Sequence, residues 1–261
     1  MGVNVQVFKA IQVDEKRGIA SIQFSRAENN NSLNNTLIQE INVCIDQFEE
    51  DDEIKIIVLK GNTSTFCTGM DFKAMADQTE EAMTGEDDPL AYYGLLKKIT
   101  LSSKIFIAAV EGKVNAGGIG IVAACDFVLA GQEATFGLSE ALFGLLPACV
   151  LPFLIQRVGF HKAKWLTLIT QPINLEKAIQ IGLVDEFSSD LENLVRITSL
   201  RLLKLESNTV HDLKNYMAKL WIINDETQEL AVKKIKGLLH SDKVQSNIHN
   251  FVHYNKFPWE K

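Results

Sequence analysis

Glu140 is the side chain with the clearest chemical potential. It lies in Leu138-Ser-Glu-Ala-Leu-Phe143, between apolar residues, where a buried carboxylate needs a reason. The second feature is Glu111-Gly-Lys-Val-Asn-Ala-Gly-Gly-Ile-Gly-Ile-Val-Ala-Ala-Cys-Asp126, entered from the apolar run Ile105–Val110. This pattern predicts a buried strand, a turn through Ala116-Gly117-Gly118 and a helix start. Glycine lets the main chain approach a ligand closely. A helix N-terminus offers unpaired N–H groups that favour negative charge. Such a site suits an anion, or an oxygen on which negative charge develops. A dinucleotide loop fails on spacing. The glycines fall at 112, 117, 118 and 120, and Asp126 follows far too soon for a ribose ligand expected about 20 residues on. An oxyanion hole needs a second N–H. Ser64-Thr-Phe-Cys-Thr-Gly-Met-Asp-Phe72, which follows the apolar run Ile54–Leu59, can supply it.

The elements that must position these groups are legible in outline. Strands are predicted over Val5–Val13 and Ile19–Phe24 around the turn Glu15–Gly18. Asn34 or Asn35 can cap a helix whose stripe is Leu37, Ile41, Cys44/Ile45 and Phe48. Strand 54–59 follows, then a strand-to-helix passage over Phe66–Met75. Residues 77–89 are acidic and aperiodic and read as a mobile loop over the site. A helix over Leu90–Leu101, strand 105–110, the glycine turn, and short strands 127–130 and 134–136 come next. An apolar helix to about Val158, another over 161–170 and a helix 175–181 capped by Asn174 and stopped at Gly182 lead to an extended segment, 183–187. Helices 191–206, 209–222 and 226–240 and a last piece before Pro258 complete the chain. The organisation is a core over 1–195 with a helical region over 196–261.

Composition narrows the functions. At 261 residues with 46% hydrophobic residues and 23% charged, the chain can bury one large core. A net charge of −7 argues against a nucleic-acid footprint. Cys44, Cys67, Cys125 and Cys149 form no C-x-x-C pair and read as buried free thiols, which suits a reducing cytoplasm. No signal peptide is expected, and Gln6 replaces the hydroxyl residue that myristoylation of Gly2 needs. The longest apolar run, 141–155, contains two prolines and is too short to span a bilayer, so no membrane role is expected. His249 and His253 have the i, i+4 spacing of a metal pair but no third ligand motif, so a surface helix is the simpler reading.

Four ordered motifs then carry a resemblance: Phe66-Cys-Thr-Gly-Met-Asp-Phe72, Gly112–Asp126, Ala134-Thr-Phe-Gly-x-x-Glu140 and Gly182-Leu-Val-Asp185. Together they resemble the crotonase (enoyl-CoA hydratase) superfamily over roughly residues 5–190. The resemblance implies an α/β spiral of β-β-α units with a C-terminal helical trimerisation region. It implies a homotrimer or dimer of trimers, no cofactor, and an acyl thioester on coenzyme A or on the phosphopantetheine of an acyl carrier protein. It implies that the backbone N–H groups of Met70 and Gly117 grip the thioester oxygen. Of the two glutamates of fatty-acid hydratases, the second falls on Glu140, while the first falls on Gly120 and is absent. Asn115 stands where those hydratases are usually apolar.

Lys113–Gly118, Leu138–Phe153 and the terminal Phe257-Pro-Trp259 are closer still to one branch, the dehydratases of polyketide β-branching. These convert 3-hydroxy-3-methylglutaryl on an acyl carrier protein to 3-methylglutaconyl. A sister decarboxylase lacks the glutamate at the Glu140 position.

That reaction removes a C2 proton and expels hydroxide from C3. Two N–H donors on the thioester oxygen stabilise the enolate, each worth about 3–4 kcal/mol. Glu140 can protonate the leaving hydroxyl and, for departure from one face, also take the C2 proton. Asn115 orients the hydroxyl or a water, or is simply a turn residue. Asp71 does likewise, or caps the helix it starts. A carrier would dock on a basic patch, with Lys55/Lys60, Lys97/Lys98/Lys104 and Arg157/Lys162/Lys164 as candidates. The rivals are a decarboxylase, a CoA-linked hydratase or isomerase, and a thioester-binding protein without catalysis.

Overall fold

The computed structural model describes residues 8–77, 88–220 and 223–260. The chain opens with an antiparallel hairpin, β1 (Ile11–Lys16) and β2 (Ile19–Phe24), followed by α1 (Asn35–Glu49). Asn34 caps α1, its side chain accepting from the Leu37 N–H at 2.9 Å. The expected stripe of α1 is buried throughout. Then come β3 (Ile56–Lys60), β4 (Thr65–Cys67), α2 (Phe72–Ala76), α3 (Asp88–Leu101), β5 (Ile105–Val110), β6 (Lys113–Asn115) and α4 (Gly117–Ala124). They are followed by β7 (Phe127–Ala130), β8 (Thr135–Gly137), a 3-10 turn over Glu140–Phe143, α5 (Leu151–Val158), α6 (Phe160–Ile169), β9 (Ile173–Asn174), α7 (Leu175–Ile181) and β10 (Glu186–Phe187). The tail is α8 (Leu191–Leu202), α9 (Ser207–Lys219), α10 (Asp225–Leu239) and α11 (Asp242–Tyr254).

The strands divide between two sheets, and the chain alternates between them. The larger has the order β1-β2-β3-β5-β7-β10 and is parallel except for β1. The smaller has the order β4-β6-β8-β9, with β4, β6 and β8 parallel. So β3, β5 and β7 enter the large sheet, their successors β4, β6 and β8 enter the small one, and helices return the chain. This is the expected crotonase-type α/β fold of repeated β-β-α units.

Side chains of the large sheet alternate between two cores, as a strand sandwiched on both faces requires. Ile57, Leu59, Phe106, Ala108, Val110 and Val128 enter the main core. Ile56, Val58, Ile105, Ile107, Ala109 and Leu129 face Leu191, Val195, Leu202 and Val210 of α8 and α9. The expected boundary at 195/196 thus falls inside a helix that covers the sheet.

The structure departs from the sequence reading in a few places. Lys113–Asn115, to which the sequence reading gives no element, is a strand paired on both sides. The segment 183–187 is extended only at Glu186–Phe187, because the Leu183 and Val184 N–H groups still close α7 on the Ala178 carbonyl. The last piece is a full helix, α11. The expected mobile loop falls largely on 78–87, outside the described residues, as do residues 5–7 of the first strand. All four cysteines are free and buried. Among the described residues no helix is long and apolar enough to cross a membrane.

Ile107 is fully buried between the sheet and the α8/α9 layer. Ile107→Ala is expected to cost about 2–5 kcal/mol in urea unfolding, whereas a loss under about 1 kcal/mol would mean that this layer is not packed on the sheet.

Candidate active site

The three parallel strands of the small sheet end side by side. Cys67 of β4 pairs with Val114 of β6, and Asn115 of β6 with Gly137 of β8. The segment after each strand turns to the same side. Met70 comes after β4, Gly117 after β6 and Glu140 after β8. The convergence repeats a general feature of parallel sheets, whose carboxyl ends gather functional groups.

The first two turns meet backbone to backbone. Gly69 has φ +84°, and a Cβ there would lie 2.5 Å from the Ala116 Cβ and 2.8 Å from the Gly117 nitrogen. Only glycine both adopts that torsion and allows that approach. The bonds Leu33 N–H to Gly69 carbonyl, 2.7 Å, and Asp71 N–H to Leu33 carbonyl, 3.2 Å, hold the first turn but leave the Met70 N–H between them undonated. In the second turn Ala116 holds φ 50° and ψ −123°, an orientation a side-chain-bearing residue rarely adopts. Gly117 then opens α4, and its N–H has no intrahelical acceptor. Among the described residues neither N–H finds a hydrogen-bond partner. Both residues line a cavity of about 710 Å³. Two free N–H groups on one cavity are the donor arrangement that an oxyanion hole requires.

Glu140 begins the 3-10 turn after β8 and lines the same cavity. Its Oε2 is buried with no hydrogen-bond partner. Burial raises its pKa from 4.5 to about 7, the N–H bonds of its own turn opposing only in part. A carboxyl that titrates near neutrality exchanges protons readily in either direction.

Asn115 lines the cavity too, and its side-chain amide donates to the Ser139 hydroxyl at 2.9 Å. Ser139, which lies outside any G-x-S-x-G motif, therefore joins the site as the partner of Asn115 and the neighbour of Glu140. Asp71 reaches the cavity wall, but its carboxylate is committed. It caps α2 by accepting from the Ala74 N–H at 3.0 Å, and its other oxygen accepts from Ser32 at 2.8 Å and from Asn29 and Arg26 at 3.3 Å each. Burial pushes the Asp71 pKa up, but these bonds and the Arg26 charge outweigh it and hold the pKa below the usual value. Of the two readings of Asp71 the geometry fits the cap, which anchors the Met70 turn.

Other residues of the site came unannounced. Tyr92 of α3 is 6% exposed and donates its hydroxyl to the Gly117 carbonyl. In sequence it is one apolar position on a helical stripe. Phe72, Phe143, Phe251 and Phe257 form a row of ring contacts, with centroids 5.2, 5.2 and 5.1 Å apart, along one wall of the cavity. The tail thus helps to build the site, which the compositional reading of 196–261 as helical could not reveal. His253 lies 3.8 Å from Asp77, and its ring packs against His249.

The expected basic patches are largely spent on structure. Lys97 pairs with Asp225 and Lys98 with Asp46. Lys104 is buried on the Asp51 carbonyl, Arg157 pairs with Asp185, and Lys55 bonds the Leu205 carbonyl. Lys73 and Lys113 are instead the exposed cations that line the cavity.

Gly69→Ala is expected to destabilise the protein by about 1–3 kcal/mol and to shift the amide resonances of Met70 and Gly117. Unchanged amide shifts would mean that the two turns are not in contact.

The family described as Enoyl-CoA hydratase/isomerase matches residues 14–261. The chain is 35% identical over 258 residues, 99% of its length and 99% of the other's, to the bacillaene synthase dehydratase PksH of Bacillus subtilis. It is 32% identical to the 2,3-dehydroadipyl-CoA hydratase of Escherichia coli, over 69% of each chain. The crystal structure of a polyketide biosynthesis enoyl-CoA hydratase, PksH of Bacillus subtilis, superposes with a TM-score of 0.89 at 36% identity, covering 97% of this chain and 100% of that one. An enoyl-CoA hydratase of Bacillus halodurans, 17% identical, shares the fold with a TM-score of 0.82 over 92% of this chain and 99% of its own. The paired N–H groups, the neutral-range carboxyl and these likenesses agree, and the chain belongs to the enoyl-CoA hydratase/isomerase family as an enzyme of the hydro-lyase type.

Proposed function

We propose that this protein dehydrates a 3-hydroxyacyl thioester in polyketide biosynthesis, its substrate being 3-hydroxy-3-methylglutaryl on an acyl carrier protein and its product 3-methylglutaconyl on the same carrier. The observation that carries the reading is Glu140, a buried carboxyl with an unpartnered oxygen in the cavity that holds the two free N–H groups. The dehydratase name of the relative that matches along its whole length supports the reaction and its polyketide setting.

The chemistry follows from the residues. The thioester oxygen sits between the Met70 and Gly117 N–H groups, which stabilise the charge that develops as C2 loses its proton. Glu140, ionised, takes that proton and delivers it to the hydroxyl on C3. The C3–O bond breaks, the C2–C3 double bond forms, and water leaves. One carboxyl serves both halves when proton and hydroxyl depart from the same face. The tertiary alcohol eases the second half, because its carbon carries partial positive charge better than a secondary one. Asn115, tied to Ser139, holds the hydroxyl in line. Asp71 keeps the Met70 turn in place.

The carrier's phosphopantetheine phosphate is assigned to Lys73 and Lys113 at the exposed margin of the cavity. No cofactor enters the reaction. Exposed Leu213, Tyr216, Met217 and Leu220 on and beside α9 offer apolar surface for the expected trimer.

Mass spectrometry of the carrier loaded with the hydroxymethylglutaryl group is expected to show loss of one water after incubation with the protein. Glu140→Gln should slow that loss by about 10²–10⁴-fold. An unchanged carrier mass would remove this substrate from the account, and release of CO2 from the methylglutaconyl carrier would reassign the protein as the decarboxylase.

The raised pKa of Glu140 has a sign that two measurements can check. Its carboxyl is more easily protonated in the folded than in the unfolded state. That contribution to stability is complete below the ordinary value and disappears as pH rises through about 7. Glu140→Gln should therefore raise Tm at pH 8 and change it little at pH 4. Wild-type kcat/KM should rise with pH through about 7, because the ionised form starts the reaction. A fall in kcat/KM through that range would make the protonated acid the starting form instead.

A further inference from the structure

Where the resemblance places the first hydratase glutamate, this chain has Gly120, and the space is already taken. A Cβ at 120 would overlap the Tyr92 hydroxyl, with Leu96 Cδ1 at 3.0 Å and Val150 Cγ2 at 3.1 Å closing in from the other sides. The hydroxyl reaches this position from α3 and donates to the Gly117 carbonyl at 2.5 Å. Burial first, then the neighbouring Cys67, Cys149 and Glu140, holds the phenol well above its ordinary pKa, so it stays a neutral donor.

The bond falls on a backbone that needs holding. Gly117 has no side chain to restrict its torsions, and the peptide before it belongs to Ala116 in its unfavourable conformation. On that preceding side the Ala116 carbonyl accepts from the Ile119 N–H at 2.9 Å. On the following side Tyr92 grips the Gly117 carbonyl. With both carbonyls fixed, the N–H between them keeps its aim at the cavity. Preorganised donors stabilise developing charge more than ones that must reorient.

We infer that Tyr92 is a positioning residue of the oxyanion hole: in the space opened by Gly120, its hydroxyl clamps the Gly117 carbonyl and so fixes the Gly117 N–H on the thioester oxygen. The same hydroxyl occupies the space that a side chain at 120 would need, so no carboxylate enters the site from that position. The inference rests on the oxyanion-hole reading of the site but not on the identity of the acyl group or its carrier.

Two assays separate these levels. The first is dehydration of the hydroxymethylglutaryl carrier. The second uses acetoacetyl-CoA, a β-ketoacyl thioester whose enolate absorbs in the near ultraviolet, so that its bound spectrum reports the oxyanion hole without turnover. Tyr92→Phe keeps the ring and deletes the clamp. It is expected to lower kcat about 10–100-fold with KM within about twofold, the pattern of an interaction made in the transition state. It should also weaken the enolate band of the bound probe without a matching change in its Kd.

Gly120→Ala, which drives a methyl into the hydroxyl, should lower kcat alone but add little in the Tyr92→Phe background, where the hydroxyl is gone. Wild-type kcat and an undiminished enolate band in Tyr92→Phe would overturn the inference, and so would full additivity of the two substitutions. An enolate band in the wild type with no dehydration of the carrier would overturn the proposed substrate and leave the clamp to be judged on the band. Absence of the band in the wild type would overturn the oxyanion hole and the clamp together.

Discussion

The structure of this protein turns on one close approach, that of the Gly69 turn to the Gly117 turn. Two backbone segments at van der Waals distance, one with a left-handed torsion and the other beginning a helix, present two N–H groups that the fold itself leaves undonated. Both residues that carry them, Met70 and Gly117, are half-buried and face the cavity. The free donors persist here because the parallel pairing of β4 with β6 fixes the ends of both strands, and because Asp71, Leu33 and Tyr92 hold the turns from outside. The alternation of the chain between two sheets serves this juxtaposition, since it sets three consecutive strand ends next to one another.

Against that fixed pair stands a carboxyl that the protein keeps poorly solvated. Glu140 has a buried oxygen with no partner, and burial raises its pKa to about 7, which weakens folding above neutrality. Asp71 is the contrast. It too is buried near the cavity, but a cap, two polar side chains and a guanidinium hold its charge in place. Two carboxyls that line one cavity are thus set apart by their surroundings, one raised toward neutrality and the other held below its usual value.

The tail and the core meet at the site. The row Phe72, Phe143, Phe251 and Phe257 runs from α2 through the turn that carries Glu140 to α11 and the chain end, where Trp259 stacks on Phe257 at 4.7 Å. Two of the row's contacts are edge-to-face and the third is tilted, and such rings bury much apolar area. The row lines the cavity that Glu140 also lines, so the helical tail is part of the site's wall as well as of the packing.

The sequence by itself determined the local elements and the chemical types. Periodicity placed most strands and helices, Asn34 or Asn35 and Asn174 marked their caps, glycine spacing excluded a nucleotide loop, and the apolar setting of Glu140 marked it as a carboxyl with a purpose. These are legible because they depend on neighbours within a few residues. The short strand Lys113–Asn115 was not, since three residues carry no period and become a strand only through partners 48 and 22 positions away, as in the pairs Lys113 with Thr65 and Lys113 with Thr135. Nor was the hydrogen-bond commitment of Asp71, which Ser32, Asn29 and Arg26 supply from a distant loop. Tyr92 is the sharpest case. Its sequence context is that of any helix-core aromatic, and its meaning arises only where α3 crosses α4 and a missing side chain at Gly120 leaves room for a hydroxyl. Local order is written in nearest-neighbour torsions and hydrophobic spacing, while the aim of a donor, the titration of an acid and the filling of a vacated space depend on which remote surfaces the folded chain brings together.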